Sequence, residues 1–176
     1  MEMKNEVTFN KGLKLIVNAD DFGICEERDR GIFELFAKGY ISSVTALVNF
    51  PNFEKSIEEA RRVGLPVGLH LNLTEGEPVH KVENNSLGIM NPETKKYEFF
   101  GKFQFREKMK EGKILSSDIK NEIVHQIMRF IKHYKDIPSH IDGHQHIQSI
   151  PEVAEILSDI MSNCFGIYQI RIPIEV

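Results

Sequence analysis

Short apolar runs alternate with amphipathic ones along this chain. Residues 13–18 (LKLIVN) read as a β-rich run that ends in Ala19, Asp20, Asp21, Phe22 and Gly23. Residues 26–38 set Ile32, Phe33, Leu35 and Phe36 on one broad face, which predicts a helix stopped by Gly39. Residues 44–50 predict a buried strand, residues 53–63 an amphipathic helix halted at Gly64, and residues 67–73 a third strand. The longest predicted helix covers 118–135, where Ile119, Ile123, Ile127 and Ile131 recur every four residues beside Val124 and Met128. Ser116 to Asp118 offers its N-cap. Residues 138–142 read as a short strand, and Pro151 suits the first turn of a helix reaching about residue 161. Residues 167–176 form a last apolar run with strand character.

This order argues for an α/β fold with parallel strands joined by helical crossovers. Helices on the outside of the sheet explain why the strands are nearly all apolar. Periodicity does not separate an open sheet from a barrel. The segment from 80 to 117 breaks the rhythm. It is rich in turn residues (Asn84, Asn85, Gly88, Asn91, Pro92, Gly101) and in aromatics (Tyr97, Phe99, Phe100, Phe103, Phe105). It reads as a loop-rich insert, whose aromatics serve packing or an oligomer contact before they serve sugar stacking.

A length of 176 residues suggests a single domain with a core of its own. The net charge of −4 disfavours general nucleic-acid binding, which needs a basic face. No run of 18 apolar residues exists, so no membrane span is expected, and the polar N-terminus lacks a signal-peptide core. Cys25 and Cys164 lie far apart, which argues for reduced thiols and a cytoplasmic protein, with Cys25 a small buried residue.

Three predicted strand ends carry unusual polar residues: Asn18 to Gly23, Gly68 to Gly76 (GLHLNLTEG), and His140 to His146 (HIDGHQH). In parallel α/β folds the active site lies at the carboxyl ends of the strands, so the three clusters are expected to converge. An Asp-Asp pair alone is as readily a turn or a helix cap. In extended chain, Asp20 and Asp21 would point to opposite sides. A lone His70 in an apolar strand would read as a core imidazole. Three His and Asp142 within the seven residues 140–146 change that balance. Two His and one Asp make a facial set for a divalent metal, with the remaining His and Asp around it. His125 and His133 read as structural or surface residues, and His80 carries no signal. No H-E-x-x-H, G-x-S-x-G, G-x-G-x-x-G or phosphate-loop run is present. No Lys/Arg cluster adjoins the motifs to hold a phosphoester.

Four ordered segments, NADDFG (18–23), SVTALVN (43–49), GLHLNLTEGEPV (68–79) and SHIDGHQH (139–146), make the chain resemble the YdjC-like family of carbohydrate deacetylases, which includes the chitooligosaccharide deacetylases. The resemblance implies an irregular (β/α) barrel, homodimers, and removal of acetyl groups from N-acetylated sugars. It implies that Asp20 is the general base and that Asp21, His70 and His144 hold the metal. His144 is taken over His146 because the family ligand directly follows the small residue after Asp142. His140 and His146 would line the site. The resemblance implies Mg²⁺, whereas two imidazoles suit Zn²⁺ or another transition ion at least as well. Family chains continue further and carry a later His-Pro-Gly-type motif, so this chain reads as a C-terminally truncated barrel. A metal- and sugar-binding remnant with impaired turnover is the alternative expectation.

Overall fold

The computed structural model describes residues 15–82 and 85–173. Its main sheet has four parallel strands: β1 (Asn18–Phe22), β2 (Ser43–Ala46), β3 (Val67–Leu71) and β6 (Ile141–Gly143), in the order β1-β2-β3-β6. Helices α1 (Glu26–Ala37) and α2 (Phe53–Val63) make the first two crossovers, and α4 (Ser116–Tyr134) returns the chain to β6. After β6 come a 3₁₀ segment (His144–Ser149), α5 (Pro151–Asp159) and a π turn (Ile160–Phe165). Ile170 then adds a single parallel bridge to Ile141. The α/β reading therefore holds, with the parallel sheet expected from the crossovers. Among the described residues the sheet is open, and the apolar run from 167 forms no longer strand. Its last three residues lie outside the described residues, as do Leu13 and Lys14 of the first predicted strand.

The glycine stops are met, but α4 starts at Ser116 with Leu115 at its N-cap and no side-chain cap, while Asp118 accepts the Ser86 N–H. Gly39 and Gly64 take φ of 73° and 71°, left-handed values that end α1 and α2. On α4, Ile119, Ile123, Ile127 and Phe130 turn inward and are at most 1% exposed. Strands shift more. The first strand lies at Asn18–Phe22, about five residues later than residues 13–18 suggest, so both aspartates belong to the strand itself. β3 is buried along its whole length because it sits between β2 and β6. It crosses β6 closely: a Cβ on Gly68 would fall 2.7 Å from the ring and the carbonyl of His140.

The insert is more ordered than its turn residues suggest. It holds an antiparallel hairpin, β4 (Gly88–Met90) with β5 (Tyr97–Phe99), followed by α3 (Lys102–Lys110). Its aromatics divide between roles. Phe99 and Phe105 enter the core, whereas Phe103 is 82% exposed.

One buried carboxylate ties the first two helices to the end of β1. Asp29 is 2% exposed and accepts the Gly23 N–H (2.9 Å), Asn52 Nδ2 (2.6 Å) and Ser56 Oγ (2.5 Å). Cys25, at the N-cap of α1, is half-buried rather than a core residue. Removing the Asp29 carboxylate strands three donors, and losses of this kind cost about 2–3 kcal/mol. Asp29→Ala is therefore expected to lower unfolding stability by about that amount in urea titration, with Asp29→Asn losing less.

Candidate functional site

The site is built outward from β3. The register sets His70 opposite Asp142 of β6, and facing residues on paired strands share one side of the sheet. His70 Nδ1 lies 2.5 Å from Asp142 Oδ1. Asp142 is fully buried. Its Oδ2 accepts Thr45 Oγ at 3.1 Å and pairs with Arg171 Nη2 at 2.6 Å. With Nδ1 committed to Asp142, His70 turns Nε2 towards Asp21 Oδ1, 3.3 Å away. Burial alone would lower the proton affinity of His70. Asp142 and Asp21 outweigh it and push the pKa up to about 9. A site that draws a second proton onto a buried imidazole is a site of negative potential.

The two aspartates of β1 reach this centre together. Ala19 pairs with Val44 and Phe22 with Ala46, so β1 spends one residue more than β2 over the same length. Asp21 absorbs the excess with φ of 61°. This bulge cancels the strict alternation expected of adjacent residues, and it places both carboxylates near His70 instead of on opposite sides. Asp21 Oδ2 pairs with Arg28 Nη1 at 2.7 Å. Its Oδ1 is buried and has no aligned hydrogen bond, although His144 Nδ1 stands 3.0 Å away. The neighbouring imidazoles, His144 foremost, hold the Asp21 carboxyl far below the usual carboxylate range.

His144 follows β6 directly. Gln145 and His146 both take left-handed backbone, with φ of 55° and 58°. The strand runs Ile141–Gly143, later than the 138–142 expected, and the chain then turns away. His146 is exposed and His140 lies against Gly68, so neither joins Asp21, His70 and His144. His80 and His125 stack on each other at 4.2 Å, and His133 packs edge-on against Phe53. These three are structural, as expected for the two on the long helix.

Asp20 stands beside the cluster, half-exposed. Arg171 grips it with two bonds, Nη1 to Oδ1 at 2.9 Å and Nη2 to Oδ2 at 2.6 Å, and Asn18 Nδ2 adds a third at 2.8 Å. Burial works to raise its pKa, but Arg171 and Asn18 prevail and the carboxyl stays ionised below its ordinary range. Arg171 was not singled out in the sequence. Its signal is the one cation in the mostly apolar run 167–176. Glu75, whose Oε2 lies 3.1 Å from His144 Nε2, was hidden among the turn residues after β3.

One donor atom each from Asp21, His70 and His144 lie within 4.8 Å of one another. The orphaned Oδ1 of Asp21, facing two imidazole nitrogens, is what a divalent cation would satisfy, so the residues fit one. A second grouping, Asp20, His70 and Asp142, has the same spacing. There Arg171 already pairs with both carboxylates. Removing that guanidinium leaves the buried Asp142 with less compensation. Arg171→Met is expected to cost about 1–3 kcal/mol of stability in urea unfolding, the range for stranding a buried polar partner.

The chain is 38% identical to a carbohydrate deacetylase of Mus musculus, matching over 93% of this chain and 51% of that protein. A carbohydrate deacetylase of Danio rerio is 40% identical over 93% of this chain and 50% of its own length. A chitooligosaccharide deacetylase of Serratia marcescens is 34% identical over 79% of this chain and 52% of its own length. The chain thus spans about half the length of the curated relatives it matches. A crystal structure from Enterococcus faecalis V583, of a protein whose suggested role is cellobiose-phosphate cleavage, superposes with a TM-score of 0.71 at 28% identity, covering 84% of this chain and 55% of the other. A family model described as YdjC-like protein matches residues 14–176, and the chain belongs to that family.

Proposed function

We propose that this chain carries the metal centre and general base of a hydrolase that removes acetyl groups from N-acetylated carbohydrates. The observation that carries the reading is the orphaned Asp21 Oδ1, set between His70 Nε2 and His144 Nδ1 with the ionised Asp20 alongside. The names of the curated relatives supply the substrate class. Asp21, His70 and His144 are the ligands in this reading. A divalent cation bound there supplies Lewis acidity towards the acetyl carbonyl and acidity to a water. Two imidazoles favour Zn²⁺ or another transition ion over the Mg²⁺ expected from family resemblance.

The protein's own groups orient the ligands and deprotonate the water; the amine nitrogen takes up a proton as its C–N bond breaks and acetate forms. Asp20 takes the proton of the attacking water. Arg171 holds Asp20 ionised and fixes the orientation of its carboxylate. Asp142 keeps the Nδ1 proton of His70, so Nε2 is the nitrogen offered to the cation. Thr45 and Arg171 in turn fix Asp142.

Acetate release from short N-acetylated chitooligosaccharides, with and without chelator, tests the assignment. Asp20→Asn is expected to keep the metal and lose about 10²–10⁴-fold in rate, the usual worth of a general base. His144→Ala is expected to lose metal and turnover together. A normal rate in Asp20→Asn would remove the base assignment. Sugar affinity in calorimetry without any acetate release would replace turnover with binding alone.

A further inference from the structure

His70 and His144 face the same orphaned oxygen, but only His70 has an acceptor from the sheet for its other nitrogen. A neutral imidazole that gives one nitrogen to a cation carries its proton on the other, and that proton needs an acceptor. For His70 the acceptor is Asp142. The Nε2 of His144 is buried and has no aligned hydrogen bond. The carboxylate against it is Glu75, with Oε2 at 3.1 Å. Among the described residues, His144 is the one ionic partner of Glu75.

Glu75 is held in place from beneath. Its backbone N–H donates to Asn72 Oδ1 at 3.1 Å, and its carbonyl accepts Asn72 Nδ2 at 2.7 Å and Asn49 Nδ2 at 2.9 Å. Asn72 is fully buried, and Gln126 of α4 clamps its backbone from both sides, accepting its N–H at 3.1 Å and donating to its carbonyl at 2.5 Å. Gln126 is itself buried and bonded to Glu122 at 2.7 Å. The Glu75 side chain also accepts Gln145 Nε2, from the residue after His144. A half-exposed carboxylate on a backbone this constrained does more than solvate a loop.

We propose that Glu75 is the positioning residue of His144: it accepts the Nε2 proton and so presents Nδ1 to the cation, as Asp142 does for His70 with the two nitrogens exchanged. This rests on the metal reading above. Zn²⁺ titration calorimetry on the wild type, Glu75→Ala and Glu75→Gln tests it, together with ¹⁵N-histidine spectra of the Zn²⁺-loaded proteins. Glu75→Ala is expected to weaken Zn²⁺ binding about 10- to 100-fold, the usual effect of losing such a partner. It should also shift the His144 Nε2–H resonance away from its hydrogen-bonded position. Glu75→Gln retains an acceptor oxygen and should restore most of the affinity. Unchanged affinity in Glu75→Ala would overturn the proposal while leaving the metal site standing. An equal loss in both variants would make Glu75 a ligand and would also overturn it. A wild type that binds no Zn²⁺ would take down the metal reading and the proposal with it.

Discussion

The organisation of the site depends on one buried charge. Asp142 lies on β6, the last strand in the order β1-β2-β3-β6, yet has no exposure to solvent. An ionised carboxylate there is tolerated only when its oxygens are paired and hydrogen-bonded. The partners come from three separate parts of the chain: His70 on β3, Thr45 on β2 and Arg171 after the π turn. Each has a second task. His70 is left with one free nitrogen, Thr45 lies beside Asp20, and Arg171 grips Asp20. Satisfying one carboxylate therefore orients nearly everything around it.

The bulge in β1 is the second constraint. A left-handed aspartate costs about 1–2 kcal/mol relative to ordinary strand backbone. The surroundings offset this locally. Arg28 pairs with the displaced carboxylate, and Asp29 captures the N–H of Gly23 two residues on. Asp is among the few residues that enter this region readily, because its short polar side chain tolerates it. The identity of residue 21 thus suits both the backbone and the chemistry.

Much of this was legible in the residues. The four-residue recurrence of Ile on α4 and the stops at Gly39 and Gly64 gave helices close to those observed. Strand-end polarity brought Asp20, Asp21, His70, Asp142 and His144 to one place. The displaced β1 was harder to see: apolar residues 15–17 look like strand, but pairing with β2 begins at Asn18. Nor does composition reveal a bulge, because the extra residue is defined only by its partner strand. The insert misled for a different reason. Its hairpin pairs over three residues on each side, too short for an alternating pattern to stand out from its turns. Arg171 and Glu75 escaped because their partners are set by sheet order and loop path, which no local pattern encodes.

Arg171 meets Asp20 across 151 positions of sequence. Closing a loop of that size from an unordered chain carries a large entropic penalty, which shrinks once shorter pairings have brought its ends together. The order β1-β2-β3-β6 supplies such shorter pairings, because β1, β2 and β3 are neighbours in turn and β6 lies beside β3. Without the guanidinium, the imidazole of His70 would be the one cation left beside both Asp20 and Asp142 among the described residues. The Arg171–Asp20 pair thus forms only where the two ends of the described chain meet. A fold in which only the segment carrying Arg171 is misplaced would keep Asp21, His70 and His144 in register, yet it would leave the Asp20 carboxylate unrestrained.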